Sequence, residues 1–484
     1  MLRWQKISSG RRFRVNMNWM EEVLKRKDAL IQDTQKFLQI KSVLDEETAS
    51  DEAPLGKGID EALQYLLCRG KEEGFKTKNV DGLAGHLEFG QGDELIGILC
   101  HVDVVPEGEG WRSDPYAAEI RDGKIYARGA VDDKGPTMAA FYAMKIVKDL
   151  GVPLSKRVRM IIGTDEESNW RCVTHYFKHE EMPTMGFAPD ADFPIIYAEK
   201  GIADFDLCKN PEGTGGDGEI ELLSFHSGRR YNMVPDYAEV VFELKTRAAR
   251  EVKQEFAAFL HKNKLAGETI VDGETITLKL KGVSAHGMEP EKGINAGLYM
   301  ASFLNIFRLD SSAQAFIHFI NSYFVRDSRG RKLGVAYSDE ITGDLTINVG
   351  IISYHRETGG KLGLNLRYPV TNNLEMTKQR IEQICAKHGF TLENFSNSEP
   401  HHVDKNHTLI KTLQRVYEEQ TGEKATLISI GGGTYARSLK AGVAFGPLFP
   451  GRADVAHQKD EYIIVEDLLK ATAIYAQAIY ELAK

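Results

Sequence analysis

The stretch L-I-G-I-L-C-H-V-D-V-V at residues 95–105 decides the fold. Its apolar residues are continuous rather than alternating, and its isoleucine and valine content suits a strand covered on both faces. His101 and Asp103 lie near its C-terminal end. Working outward, one apolar stripe (Val23, Leu30 and Phe37, with Leu24, Ile31 and Leu38 beside them) predicts a charged helix from Asn18, and Ile59, Leu63, Leu66 and Leu67 predict a second, stopped at Gly74. Downstream, a helix is expected over 136–149, a strand over 157–163, a helix over 169–180 and a strand over 194–199. Such alternation reads as a three-layer α/β domain, whose sites usually lie beyond strand C-termini.

Between 201 and 400 the pattern changes. A-D-F-D-L, E-I-E-L-L-S-F, A-E-V-V-F-E-L and T-I-T-L-K-L alternate with period two, with helical stretches near 249–264 and 294–307, so an inserted α+β unit is expected. After Asp404 the α/β pattern returns: a helix over 408–420, a strand A-T-L-I-S-I, another near Val443 and a closing helix over 465–482. The expected organisation is an extension over 1–16, a catalytic domain over 17–200 and 401–484 built on a mixed sheet, and an inserted lid over 201–400. Residues 1–16 are basic but lack the apolar block of a secretory signal, so a disordered extension or an overlong start is preferred to a transit peptide.

The 484 residues carry 61 Lys and Arg against 70 Asp and Glu, a net charge of −9 that repels phosphate backbones, so no nucleic-acid partner is expected. No window has the apolar length of a membrane span. Five scattered cysteines without C-x-x-C spacing suggest neither a disulfide framework nor a thiolate metal site, which fits a reducing cytoplasm.

Chemistry-bearing residues gather at expected strand ends: His101 with Asp103, Asp132 with Asp133, the run Asp165-Glu166-Glu167, Asp190 with Asp192, and His457 before the last helix. Each has a structural alternative as turn former, cap or satisfied polar group. Imidazole and carboxylate donors without thiolate suit zinc, manganese or cobalt, and many carboxylates with few histidines suit two adjacent ions. Asp103, two residues beyond His101, is placed to orient that imidazole. His175 and His179 have i, i+4 spacing but read as an exposed helix face, and His401 and His402 as surface residues. Trp111 and Trp170 admit either a pocket-wall or a packing role.

H-V-D-V-V-P at 101–106, A-R-G-A-V-D-D-K-G-P at 127–136, G-T-D-E-E-S at 163–168, P-D-A-D-F-P at 189–194 and A-H-Q-K-D-E at 456–461 together resemble the dinuclear-metal aminoacylase and carboxypeptidase family of clan MH, and within it the PepV-type dipeptidase branch. The resemblance implies two divalent ions, zinc first, with manganese or cobalt as alternatives. It assigns one to His101, Asp132 and Asp190 and the other to Asp132, Glu167 and His457, with Asp132 bridging. It further implies that Glu166 is the general base, that the Asp132–Asp133 peptide is cis, and that His286 in K-G-V-S-A-H-G stabilises an oxyanion.

Substrate length is set at the other end of the ligand. Gly431-Gly432-Gly433-Thr434 follows a strand, so its amides suggest an anion nest for a terminal carboxylate, although a glycine triplet alone is weak. By the resemblance, Arg367 clamps the same carboxylate and Asn232 lies near the oxyanion. With lid contacts fixing one end and the metal centre the scissile carbonyl, dipeptides fit best; the resemblance implies that their amino terminus is unblocked, and a monomer is the expected state because the long insert resembles a built-in replacement for a partner's lid. An N-acyl-amino-acid deacylase and a nonenzymatic ligand-binding protein are the alternatives.

Overall fold

The apolar run forms the strand Leu95–His101, buried along its whole length. The computed structural model describes residues 17–211 and 218–484, and the expected extension over 1–16 lies outside the described residues. The strand stops at His101, short of the expected Val105: Val102 N–H makes the last ladder bond, to the Gly163 carbonyl, and Val104 N–H turns away to the Ser42 carbonyl. His101 therefore sits at a strand tip. Leu95–His101 pairs in parallel with Arg157–Gly163 on one side and Met185–Ala188 on the other. Ala84–Gly90 joins antiparallel to Arg157–Gly163, Lys76–Val80 antiparallel to that, and Gly442–Ala444 parallel to Met185–Ala188. This is the mixed sheet expected.

Alternation along Ala84–Gly90 explains the three layers. Gly85 and Leu87 meet the helix Lys57–Glu72: a Cβ on its Gly70 would lie 2.3 Å from Leu87 Cδ2, so only glycine lets helix and strand approach this closely. The intervening His86 and Glu88 face the other way, His86 bonding Tyr176 of the helix Arg171–His179 and Glu88 pairing with Arg159. Helices Lys134–Asp149 and Val465–Ala483 pack on the central strands. The expected N-terminal helix is two, Trp19–Leu24 and Lys27–Leu38, broken where Arg26 turns its guanidinium back to Glu22 and across to Asp149.

The inserted unit is built on an eight-stranded antiparallel sheet in the order Ala266–Asp272, Thr275–Lys281, Tyr237–Leu244, Ile220–Ser227, Thr346–His355, Gly359–Tyr368, Gly201–Lys209, Thr391–Ser398. Helices Ala249–Asn263, Ala296–Leu304, Ser311–Tyr323 and Leu374–Lys387 accompany it. Its core is rich in phenylalanine, with Phe319 stacked on Phe390 at 4.0 Å between centroids.

The described residues divide into one unit of 17–195, 404–427 and 438–484 and another of 196–211, 218–403 and 428–437. The segment 428–437, expected with the C-terminal part of the catalytic domain, belongs to the inserted unit for a visible reason. Thr434 N–H and the Arg437 guanidinium both reach buried Glu199, and Arg437 also donates to the Lys200 carbonyl. His401 and His402, expected at the surface, are half-buried in a short strand paired with Ala198 and Glu199.

Candidate metal centre and catalytic groups

The first unit gathers side chains from five separate segments. His101, at its strand tip, places Nε2 3.1 Å from Asp132 Oδ1 and 3.6 Å from Asp190 Oδ1. His457 places Nε2 3.0 Å from Asp132 Oδ2 and 3.0 Å from Glu167 Oε1. Asp132 thus divides its two oxygens between two imidazoles, each accompanied by a further carboxylate, the grouping the resemblance implies. Asp132 sits just ahead of the helix Lys134–Asp149, and the Asp132–Asp133 peptide is cis. His457 stands in the left-handed region at φ 62°, in the turn before the last strand and helix.

Neighbouring residues hold these ligands in place. Asp103 meets the His101 ring with two groups, as a residue that orients it would: its backbone carbonyl is 3.0 Å from Nδ1 and its Oδ1 3.5 Å from the same nitrogen. Its carboxylate also accepts the Glu166 and Glu167 amides at 3.1 and 3.0 Å. Asp103 therefore ties the Glu166-Glu167 backbone to the imidazole. Asp133 accepts His101 N–H at 3.1 Å, and buried Glu461 accepts Val131 N–H at 2.9 Å, Asp132 N–H at 3.2 Å and Arg128 Nη1 at 2.5 Å. Neither Arg128 nor Glu461 was singled out from sequence, though both lie inside the motifs around Asp132 and His457. Trp111 lies beside Arg128, 5.3 Å from ring centroid to guanidinium, which favours its packing role. Trp170 adopts φ 56° and opens the Arg171–His179 helix.

Electrostatics identify what the cluster accommodates. Burial raises Glu166 well above the usual carboxylate range; His101 opposes this, and the charges of Asp190, Glu167 and Asp132 add to it. Asp190 is pushed up to about 7 by burial and by Asp132. Asp132 is held low: burial raises it, but hydrogen bonds from His101 and His457 win. Its own hydrogen bonds to Asp132 and Glu167 drive His457 up to about 11. Neutral imidazoles with anionic carboxylates are the states that ligate divalent cations, and this crowded, acid-rich donor set is the chemistry such cations relieve. His101, Asp132 and Glu167 offer donor atoms within 4.8 Å of one another. The residues fit a pair of divalent ions.

In the inserted unit His286 Nδ1 accepts Met288 N–H at 3.2 Å, which leaves the neutral ring's proton on Nε2. Burial and the Arg367 charge keep its pKa below the ordinary value, so the neutral donor form dominates. Gly287 N–H donates to the Asn232 carbonyl at 2.7 Å, tying the His286 and Asn232 segments together. Arg367 donates from Nε to Asn365 Oδ1 at 2.8 Å and from Nη1 to the Gly431 carbonyl at 3.1 Å, and burial lowers it to about 10. Thr434 departs from expectation: its amide, at 3.1 Å, and its hydroxyl both donate to Glu199, so its share of the expected anion nest is already taken. Gly432 and Gly433 lie just before it, between the strand Leu427–Ile430 and the short helical turn Tyr435–Ser438.

A mixed-sheet α/β unit with an imidazole and carboxylate cluster beyond its strand tips, interrupted by an antiparallel insert, defines a class of hydrolytic metalloenzymes. Residues 97–481 match the Peptidase family M20/M25/M40, and the chain belongs to that family. It is 58% identical to "Putative dipeptidase YtjP" of Bacillus subtilis (strain 168), over 97% of this chain and 100% of that protein. It is 47% identical to "Putative dipeptidase SH1171" of Staphylococcus haemolyticus (strain JCSC1435), over 96% and 99% of the two chains. The fold is shared with the aminoacylhistidine dipeptidase of Vibrio alginolyticus at a TM-score of 0.57 and 12% identity, covering 93% of this chain and 96% of that one. Among the described residues no helix is long and apolar enough to cross a membrane.

Proposed function

We propose that this protein is a metal-dependent dipeptidase that hydrolyses unblocked dipeptides. The observation that carries this reading is the division of Asp132, Oδ1 towards His101 and Oδ2 towards His457, with Asp190 and Glu167 completing the two groups. His101, Asp132 and Asp190 would hold one ion, and Asp132, Glu167 and His457 the other, zinc being preferred over manganese or cobalt. When bound, the ions supply Lewis acidity and lower the pKa of water towards neutrality. The rest falls to the chain's own groups. Glu166, whose buried carboxyl has a raised proton affinity, takes a proton from the attacking water and delivers it to the departing amine. His286 donates its Nε2–H to the developing oxyanion, assisted by Asn232, a contribution of ~3–4 kcal/mol if it resembles other oxyanion donors. Arg367 and the Gly432-Gly433 amides bind the terminal carboxylate. The relatives' names support dipeptides as substrates. Five scattered cysteines without C-x-x-C spacing suit a cytoplasmic setting, and we propose a monomer there.

Purified enzyme loaded in turn with zinc, manganese and cobalt is expected to hydrolyse Ala-Ala and β-Ala-His and to leave N-acetyl amino acids intact. The opposite pattern indicates a deacylase, and metal binding without turnover of either indicates a ligand-binding protein. Glu166→Ala should retain metal while activity falls ~10²–10⁴-fold, and His457→Ala should lose an ion. An active Glu166→Ala enzyme refutes the assigned base.

A further inference from the structure

The helix Arg171–His179 carries two histidines one turn apart, and the fold supplies them with an acid that sequence spacing does not: Asp81, in the turn between Lys76–Val80 and Ala84–Gly90. His175 Nε2 lies 2.8 Å from Asp81 Oδ2. The rings of His175 and His179 are 4.3 Å apart between centroids and tilted by 38°. One donor atom from each of the three residues falls within 4.8 Å of the others.

The groups are held rather than merely near. His179 Nδ1 is 3.0 Å from the His175 carbonyl, and because a carbonyl only accepts, Nδ1 carries the proton and the neutral ring keeps its lone pair on Nε2. That is how metal-binding imidazoles are commonly fixed. Asp81 sits at φ 55° in a turn that Asn79 closes by accepting Gly82 N–H at 2.8 Å. The helix start is anchored by buried Asp165, which accepts Arg171 N–H and its guanidinium. The neighbouring cation and acid, Lys78 and Glu180, are paired with each other at 2.5 Å, which leaves Asp81 as the acid for the imidazoles.

We propose that His175, His179 and Asp81 form a second, surface metal site for a borderline divalent transition ion, zinc first and copper, nickel or cobalt of the same class. The site is separate from the centre around Asp132. Two imidazole nitrogens and one carboxylate oxygen are a donor set such ions accept, with water completing the sphere. Donor atoms on tetrahedral zinc stand about 3.3 Å apart, so modest side-chain rotation brings the set into place. The bound ion staples the Lys76–Gly90 hairpin to the helix.

The test uses the full-length holoenzyme equilibrated with zinc chloride alone, followed by elemental analysis and calorimetric titration. Wild type should take up one equivalent more per chain than His175→Gln/His179→Gln, and His179→Gln alone should weaken that equivalent at least tenfold, with peptidase activity unchanged in both. Equal stoichiometry and affinity in wild type and double variant would overturn the proposal. A measurement on wild type alone guards against a misfolded variant: one added equivalent of Cu(II) should show electron paramagnetic resonance coupling to two nitrogens. Absence of that coupling also overturns it.

Discussion

Glu461→Gln removes one charge from a side chain whose two oxygens face only donors. Oε2 accepts Arg128 Nη1 at 2.5 Å and Gly129 N–H at 3.2 Å; Oε1 accepts Val131 N–H at 2.9 Å and Asp132 N–H at 3.2 Å. An amide has one accepting end, so either pair must face an NH2. The cationic guanidinium should keep the oxygen, turning the NH2 towards the Val131 and Asp132 amides. Two buried donors left without acceptors cost roughly 1–3 kcal/mol each, about 2–6 kcal/mol together, and the strain falls on the backbone that presents Asp132. Lost outer contacts of this kind typically cost about 10–100-fold in metal affinity. Titration of the loaded enzyme against a competing chelator measures that loss, with kcat/KM falling in parallel at limiting metal and recovering at saturating metal. A Gln variant whose metal affinity stays within twofold of wild type would refute the argument that Glu461 positions Asp132.

Burial beside the Arg159 charge lowers His86 to about 4, while its unfolded value is near 6.5, so the unfolded chain binds the extra proton between those limits. Its contribution is complete above pH 6.5 and is lost as pH falls towards 4, up to about 3 kcal/mol. His86→Gln should therefore flatten the fall in thermal midpoint between pH 7.5 and pH 5, and an equal fall in both proteins counts against this. Gly135→Ala would place a Cβ 2.0 Å from the Ala130 carbonyl, in the loop that carries Asp132, so soluble yield and metal content should both drop; a variant with normal metal content contradicts it. Chelation should lower the thermal midpoint by exposing Asp132, Glu166, Glu167 and Asp190 to mutual repulsion, since each ion at a hundredfold excess over its Kd stabilises by about 2.7 kcal/mol. A midpoint unmoved by chelator would count against metal at this cluster.

Much of the centre was legible because its residues are local signals at strand ends: His101 after an apolar run, Glu166 and Glu167 after R-M-I-I-G-T, Asp132 before a helix. What pattern cannot resolve is which atom of a residue acts. Asp103 has a carboxylate and a carbonyl within reach of His101, and only folded geometry shows the carbonyl nearer the ring nitrogen, at 3.0 against 3.5 Å, while the carboxylate also takes the next segment's amides. Glu461 escaped notice because an acid beside a ligand motif looks like any solvated acid until burial is known. Thr434 was misread because its partner, Glu199, is distant in sequence. The helix Ser311–Tyr323 was missed although Asp310 caps it by accepting Ala313 N–H, since its largely uncharged face lacks the polar contrast that marks a surface helix.

The contacts between Asp132 and His457, and between the Asp132 amide and Glu461, join residues more than three hundred positions apart. During synthesis the earlier ligands emerge long before the loop that completes them, and until it arrives the acidic residues they bring must stay hydrated or be screened by solvent ions. A nascent chain halted before that loop would present an exposed anionic patch without the ability to grip its cofactor firmly, so capture of metal is a late, and checkable, event in this protein's maturation.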